Sequence, residues 1–395
     1  MATETPELQR RRRVYEGPAF LSYGFRPFFL LGSILAGLVV LVWVPVFYGY
    51  IQLILAIPPL EWHIHELLYG YLSAAVVGFL LTAIPNWTGR MPVSGWRLAA
   101  LASLWLAGRF AILFSGLIGW WLAAIVDASF LLVFIAVAAR EVIAGKNYRN
   151  LKVLSGVSLL AVGNITFLLE VGIQGAANYG IRIGIAGGLA LVMLIGGRII
   201  PSFTRNWLVR ENPGRIPVPF NRFDGVAMAV SLVALLSWIV WPFEAVTGVL
   251  FIAAGILQLI RLARWAGDRT VRDRLVLILH IGYFFVPLGF LIGSLGVFGY
   301  ILPSTGTHAW TAGAFGLMTL AVMSRATLGH SGRTLKADTI TQLIYVLAIA
   351  AALLRICAAL LDSDQTLMFI SGGCWCLAFF GFAVHYAPLF LKARR

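Results

Sequence analysis

The amino-acid sequence predicts an all-α, polytopic integral membrane protein with about twelve transmembrane helices. Hydrophobic residues make up 60% of the chain and charged residues only 12%, whereas soluble proteins carry about 25% charged residues. The mean hydropathy is +0.89. Apolar runs of membrane-spanning length recur from one end of the chain to the other. They lie near residues 28–50, 65–86, 97–114, 117–139, 152–172, 180–201, 225–241, 245–263, 275–298, 307–328, 339–360 and 366–390.

Three stretches of the chain resemble one another. Residues 65–90 align without a gap with residues 308–333, which superposes His65 on His308. A middle copy ends at residues 198–205. The spacing between the copies is long enough for four membrane helices each. The sequence therefore predicts one transmembrane domain over residues 1–395, built from pseudo-repeats at roughly residues 28–140, 150–265 and 272–395.

The net charge of +14 indicates a membrane topology rather than a nucleic-acid surface. If the Arg10–Arg13 run and the tail of residues 1–27 lie in the cytoplasm, nearly all Lys and Arg residues fall on the cytoplasmic side. The loop of residues 261–274 carries part of this excess. We therefore expect cytoplasmic termini, membrane lipid as the partner of the basic loops, and no nucleic-acid partner. The exceptions are Arg109, Arg182 and Arg355.

The segment Trp62–Glu66 holds the densest set of potential metal ligands in the chain. Because His63 and His65 are two residues apart, they cannot share one face of a regular helix. They converge if the helix starts between them, or they face two different centres. Imidazole is a common ligand of haem iron, copper and zinc, and Glu66 could ligate a metal or orient one ring. We predict metal or haem ligation here, against the alternative of a polar helix start at the membrane interface.

His308 is the second predicted ligand, because it is the repeat mate of His65. Small residues follow it at positions 309, 312, 313 and 316. They leave a shallow helix face on which a flat macrocycle or a neighbouring helix could lie. Both interpretations stay open from the sequence.

Arginines within apolar runs are further candidate site residues, because a buried guanidinium needs an anionic partner or a wet cavity. Arg198 and Arg325 hold matching places in the second and third copies. They predict an anion clamp for haem propionates or a quinone head group, with snorkelling to the membrane surface as the alternative. Arg182, at an outer helix end, is the better candidate for neutralising a propionate near the outer surface.

Several motif segments together resemble the NnrS family, in order and over almost the whole chain. The segments are Gly24–Gly32, Trp62–Tyr71, Leu81–Gly89, Gly197–Pro201 and Arg325–Arg333. The resemblance implies a haem- and copper-containing protein of the bacterial inner membrane, linked to nitric oxide metabolism, denitrification and the defence against nitrosative stress. Carried over by this resemblance, the motif histidines are His63, His65, His308 and His330, with His280 as a further candidate.

The repeat adds a resemblance to the catalytic subunits of haem–copper oxidases and nitric oxide reductases. There, a low-spin haem lies between histidines of helices 2 and 10, which are the positions of His65 and His308 here. The spans at 180–201 and 225–241 contain no histidine, so the usual three-histidine copper site is missing. The resemblance implies haem b with these two axial ligands. It leaves His63 and Glu66 as the candidates for a second metal, copper.

The leading hypothesis is a haem b protein that handles nitric oxide, and an oxidoreductase fed by membrane quinol if it turns nitric oxide over. His280 and His330 would then serve a second haem, an inner metal site or a quinol. The competing hypothesis is a transporter or sensor of an anion, metal or small molecule without redox turnover. Broken helix ends at Pro85 and Pro201 would suit such a protein. A third hypothesis is a metal-trafficking protein whose histidines bind copper transiently.

Overall fold

The computed structural model describes residues 15–361 and 364–393, and the predicted cytoplasmic run Arg10–Arg13 lies outside these ranges. Within them the secondary structure is helical, with no β-strand, so the predicted all-α class is confirmed. Eleven helices in this part of the chain are long and apolar enough to cross a membrane. The fold is therefore that of a multi-pass membrane protein.

We number the long helices in chain order. They are α1 (Phe25–Phe47), α2 (Pro59–Thr88), α3 (Trp96–Leu113), α4 (Trp120–Ala144), α5 (Leu151–Gln174), α6 (Tyr179–Glu211), α7 (Arg222–Val240), α8 (Ala245–Ala263), α9 (Arg274–Val297), α10 (residues 304–330), α11 (Thr339–Leu360) and α12 (Gln365–Leu391). Helix α10 is the one outside the group of eleven, because polar residues such as His308, Ser324 and Arg325 lower its hydropathy.

Local sequence explains where several of these helices begin and end. The Asn221 side chain accepts a hydrogen bond from the Phe223 backbone, while Asp224 accepts one from the Asn221 backbone, which forms a capping box at the start of α7. Asp273 caps α9 in a similar way. Gly89 follows α2 with a φ of +70°, a left-handed conformation that glycine adopts without strain.

Three predicted helix boundaries were wrong, and each of them involves a proline. Helix α2 begins at Pro59, where the missing N–H of proline is not needed, so His63 and His65 lie inside the helix and not at its start. Helix α6 continues past Pro201 to Glu211, and Pro85 likewise lies inside α2. Membrane helices tolerate internal proline. The expected broken helix ends are therefore absent at both prolines.

Three of the long helices contain a π-helical segment, in which the turn is one residue wider than in an α-helix. The segments are Glu66–Tyr71 in α2, Val192–Gly196 in α6 and Ala309–Phe315 in α10. The first directly follows His65 and the third directly follows His308, in the register of the sequence repeat. Such segments are frequent at functional sites. The threefold repeat stays a prediction. The copies that begin at His65 and His308 share a π-helical segment at the matching position.

The chain divides into two compact units. The first comprises Met1–Gly184, Met323–Thr334 and Phe382–Arg395, and the second comprises Ile185–Val322 and Leu335–Gly381. In the first unit α1 packs against α2, α3 against α4, and α4 against α5. In the second unit α8 packs against both α7 and α9. The candidate site described next lies entirely within the first unit.

Candidate functional site

Helices α2 to α5 enclose a polar network in the first unit. It joins one histidine, one arginine, two acids and one amide, none of them more than 7% exposed. Charged groups in a membrane interior are costly and mark functional sites by default. The five residues, which we call the His65 network, are His65 and Glu66 from α2, Arg109 from α3, Asp127 from α4 and Asn164 from α5.

Arg109 binds both acids of the network. Its Nη1 donates to Glu66 Oε1 at 2.8 Å, and its Nη2 donates to Asp127 Oδ1. Asp127 Oδ2 also accepts a hydrogen bond from Asn164 Nδ2 at 2.8 Å. These charge-assisted bonds connect four helices through buried side chains.

His65 lies between the two acids. Its Nδ1 is 3.2 Å from Glu66 Oε1, and its Nε2 is 3.2 Å from Asp127 Oδ2 and 3.1 Å from Asn164 Oδ1. The ring has no solvent exposure. Both nitrogens of His65 are therefore engaged within the network.

Glycines make room for the arginine and the aspartate of the network. A Cβ atom at Gly70, in the π-helical segment of α2, would lie 2.4 Å from Arg109 Nη1. A Cβ atom at Gly108 would lie 3.1 Å from Asp127 Oδ1. A larger side chain at Gly70 would displace the guanidinium from Glu66, so this glycine is part of the site.

Two side chains near the site, Tyr69 and Glu170, bind the backbone at the N-terminus of α6. The Tyr69 hydroxyl donates to the Gly180 carbonyl at 2.6 Å. The Glu170 carboxylate accepts hydrogen bonds from the backbone of Asn178, Tyr179 and Gly180, so it occupies the N-terminus of α6. An acid at this position is favourable because the helix dipole is positive there.

The neighbouring His63 does not join the network. Its ring stacks on Trp43 of α1, with 4.5 Å between the ring centroids and 15° between the planes. The sequence left open whether His63 and His65 converge or face different surroundings. In the structure their surroundings differ.

His308 lies in the second unit, at the end of the short α-helical segment that opens α10. Its Nδ1 donates to the Ser304 carbonyl at 2.7 Å. This bond places the lone pair on Nε2, the tautomer that many metal-ligating histidines use. The predicted pairing of His65 with His308 stays a prediction.

The shallow face behind His308 is filled by neighbouring side chains. A Cβ atom at Gly313 would lie 2.2 Å from the Phe285 ring, and one at Gly316 would lie 2.8 Å from Trp375. At Gly313 and Gly316 this face therefore packs against neighbouring helices, which is one of the two interpretations left open by the sequence.

The two remaining candidate histidines have different environments. His280 Nε2 lies 2.8 Å from the Thr204 hydroxyl, while its buried Nδ1 has no hydrogen-bond partner and lies over Gly267. His330 lies beside the rings of Tyr23 and Phe25 in the first unit, at centroid distances of 5.4 and 5.8 Å. Their roles as ligands or quinol contacts stay predictions.

The predicted arginines lie mostly near the surface. Arg198 is exposed, as the snorkelling alternative requires, and Arg325 is half-buried. Arg182 lies over the Tyr179 ring at 4.9 Å. Arg26, in the first turn of α1, is buried and donates to the carbonyls of Phe390 and Lys392 at the C-terminus of α12.

A third buried arginine was counted with the basic loop of residues 261–274 by the sequence analysis, and this was wrong. Arg261 lies inside α8 and is 1% exposed. It donates to Asp224 Oδ1 at 3.2 Å, to the Tyr283 hydroxyl at 3.0 Å and to the Met193 carbonyl at 3.3 Å. Tyr283 in turn donates to Gln258 at 2.7 Å. We call these five residues the Arg261 network.

Sequence reasoning missed Arg109, Asp127 and Asn164 as site residues, although a signal was present. Asp127 is the only acid in its predicted span, and Arg109 is the only cation in the interior of the span before it, because Arg97 is the first residue of that span. Single opposite charges on successive membrane helices predict an ion pair, because neither charge is stable alone in the membrane.

A protein-family profile described as "NnrS protein" matches residues 19–394, nearly the whole chain. The chain belongs to the NnrS family. Membership, together with the apolar helices, makes it a membrane protein of the nitric oxide response. No curated protein sequence matches the chain significantly.

The haem and copper implied by the NnrS resemblance can be tested against the residues present. His65 does not fit as a ligand in this arrangement, because both ring nitrogens face oxygen atoms of the network. Glu66 Oε1 is likewise engaged by Arg109. No group of three His, Cys, Asp or Glu side chains within residues 15–361 and 364–393 converges on a metal position. His308 does fit a ligand by its tautomer.

Proposed function

We propose that this NnrS protein handles nitric oxide as a haem b-binding protein of the bacterial inner membrane, with His308 as a haem ligand. The hydrogen bond from His308 Nδ1 to the Ser304 carbonyl carries this proposal, since it fixes the tautomer that ligation needs. The position of His308 directly before a π-helical segment supports it further. When bound, the haem would supply an iron that coordinates nitric oxide and exchanges electrons.

Copper and quinol belong to the same proposal. Copper is included in the proposal only because the NnrS resemblance implies it, since the acid predicted to ligate it, Glu66, is bound by Arg109 in the His65 network. Membrane quinol would deliver the electrons if nitric oxide is reduced, since the sequence contains no CxxCH motif for a c-type haem. The overall activity would then be that of a quinol-linked oxidoreductase.

The test is the pyridine haemochrome spectrum with metal analysis of protein purified in mild detergent. Wild type and the His385→Ala variant should contain haem b, because His385 lies outside the motif segments. His308→Ala should lose the haem while its helical content stays unchanged. Nitric oxide consumption with a reduced quinol analogue should fall in the same variant. Haem retained in His308→Ala would overturn the proposed ligand.

A second candidate function is supported by the His65 network. Buried charged groups without a metal position suit a transporter or sensor that works without redox turnover. In that case the wild-type protein, produced with adequate haem supply, would contain neither haem nor copper. Copper without haem would instead support the metal-trafficking hypothesis.

A further inference from the structure

Arg26 differs from the other two buried arginines, Arg109 and Arg261, in the partners of its guanidinium. Arg26 is 4% exposed. Its Nη1 donates to the carbonyls of Phe390 at 3.0 Å and Lys392 at 2.7 Å, at the C-terminus of α12. A cation is favourable there because the helix dipole is negative at that end. One nitrogen of the guanidinium thus holds the end of α12 against the start of α1.

The other side of the guanidinium lacks an acceptor. Arg26 Nε is buried and has no hydrogen-bond partner. Within residues 15–361 and 364–393, the polar and cation–π contacts of this guanidinium are the two carbonyls and the Phe25 ring, whose centroid is 5.7 Å away. All of these groups are neutral, whereas Arg109 and Arg261 each bind an acid. A buried charge without a counter-charge is strongly unfavourable.

The position of Arg26 on its helix increases this cost. Arg26 is the second residue of α1, where the helix dipole is positive. The first turn contains no acidic residue, and the N-cap residue, Gly24, has no side chain to accept a hydrogen bond. The guanidinium and the dipole therefore both favour an anion at this place. Phosphate groups are common ligands of helix N-termini for the same reason.

We propose that Arg26 forms a binding site for a phosphate group at the start of α1. The Nε edge of a guanidinium presents two parallel N–H groups, which match two oxygens of a phosphate. The residues after Phe390, Leu391 and Lys392, are exposed, so the site lies close to the protein surface. The phosphate comes from a lipid head group or from solution. This inference goes beyond the proposed function and does not depend on haem binding.

The experiment is thermal unfolding of the full-length protein, delipidated in mild detergent and followed by tryptophan fluorescence. Inorganic phosphate is compared with chloride at equal ionic strength, and phosphatidylglycerol with phosphatidylcholine. At a tenfold excess over the dissociation constant, the melting temperature should rise by about 2 °C. A rise with inorganic phosphate identifies a site for a free anion, and a rise with phosphatidylglycerol alone identifies a lipid site. No rise with either would overturn the proposal.

Two variants locate the effect. Arg26→Gln should abolish the rise, because it removes the charge and the Nε edge. Arg97→Gln is the matched control, since Arg97 is the second residue of α3 but is exposed. It lies at the same end of the first unit, because the Gly95 N–H donates to the Leu21 carbonyl at 2.9 Å. Arg97→Gln should keep the wild-type rise. A wild-type rise in Arg26→Gln, or equal losses in both variants, would overturn the proposal.

A conservative variant keeps the test decisive if Arg26→Gln does not fold. Arg26→Lys retains the charge and a donor for the α12 carbonyls, but lysine has no pair of parallel N–H groups. Half of the maximal rise should then require at least about ten times more phosphate or phosphatidylglycerol, as expected for the loss of one charge-assisted hydrogen bond. The same half-maximal concentration in Arg26→Lys and wild type would overturn the proposal.

Discussion

The two buried arginine networks are built in the same way but hold different charges. Arg109 and Arg261 each contact a π-helical segment, through the Glu66 side chain in one case and the Met193 carbonyl in the other. Each guanidinium also lies against a glycine, Gly70 in the first unit and Gly197 in the second. A wide helical turn and a missing side chain thus create space for a buried cation in both units.

The difference lies in the partners of the arginines. Arg109 faces two carboxylates and a histidine that joins them. Arg261 faces one carboxylate, Asp224, together with a phenol and a carbonyl. The His65 network thus holds one more acid and a histidine beside its arginine. For this reason we regard the His65 network as the functional candidate and the Arg261 network as a structural tie.

Removal of the arginine should have the largest effect and should separate the two networks. Arg109→Met leaves the two buried acids without the guanidinium that binds both, so it should destabilise the protein by about 3–5 kcal/mol. Arg261→Met should cost about 1.5–3 kcal/mol, because Asp224 keeps its bond from the Asn221 backbone and its contact with Arg264. Thermal unfolding in detergent, followed by tryptophan fluorescence, measures both. A larger loss in Arg261→Met would contradict the comparison.

A methyl group at either glycine tests the shared design. In Gly70→Ala and Gly197→Ala the new Cβ would lie 2.4 and 2.1 Å from guanidinium nitrogens that are held by their partners. Each should lower the stability by about 1–3 kcal/mol. Gly373→Ala is the matched control, because nothing lies within 4 Å of its Cβ position. This control should gain up to about 1 kcal/mol from its helix propensity. Equal melting temperatures for all three variants would show that neither glycine is needed to make space for its arginine.

Loss of a single hydroxyl should have a smaller effect. Tyr283→Phe removes a group that accepts from Arg261 and donates to Gln258, so it should cost about 1–2 kcal/mol. Tyr69→Phe removes a donor to one carbonyl and should cost less. The melting temperatures of the two variants test this prediction. A larger decrease for Tyr69→Phe than for Tyr283→Phe would contradict the role given to Tyr283.

The surface pair of Arg90 and Glu141 should have the smallest effect. Arg90 Nε donates to Glu141 Oε2 at 2.5 Å, but the Arg90 side chain is 40% exposed. Glu141 raises the pKa of Arg90, so the pair stays ionised until strongly alkaline pH. Solvent and salt screen such pairs. Arg90→Ala should leave the melting temperature unchanged at neutral pH. A clear decrease would show that burial does not explain why the two networks contribute more to stability than this pair.

The helices could be predicted from the sequence because the length of an apolar run is a local property. The spans near residues 245–263 and 339–360 match α8 and α11 to the residue. Predictions failed where a local signal competed with packing. Pro201 predicted a helix end that the membrane environment does not require, and Arg261 was counted with the basic loop that follows it although the predicted span contains it.

The site could be predicted only in part, because its partners are distant in the sequence. The pattern of histidines and the repeat led to His65 and Glu66. Arg109 and Asp127 are 18 residues apart, and Asn164 is a further 37 residues along the chain. Only the packing of α2 to α5 brings them together, and these partners lie within hydrogen-bond distance of both ring nitrogens of His65.

The most direct test of this account is the haem content per folded chain of His65→Gln, measured beside its melting temperature and beside wild type. The account predicts wild-type haem content and a lower melting temperature, because His65 belongs to the network and does not ligate haem. Loss of haem at an unchanged melting temperature would contradict it and would make His65 an axial ligand.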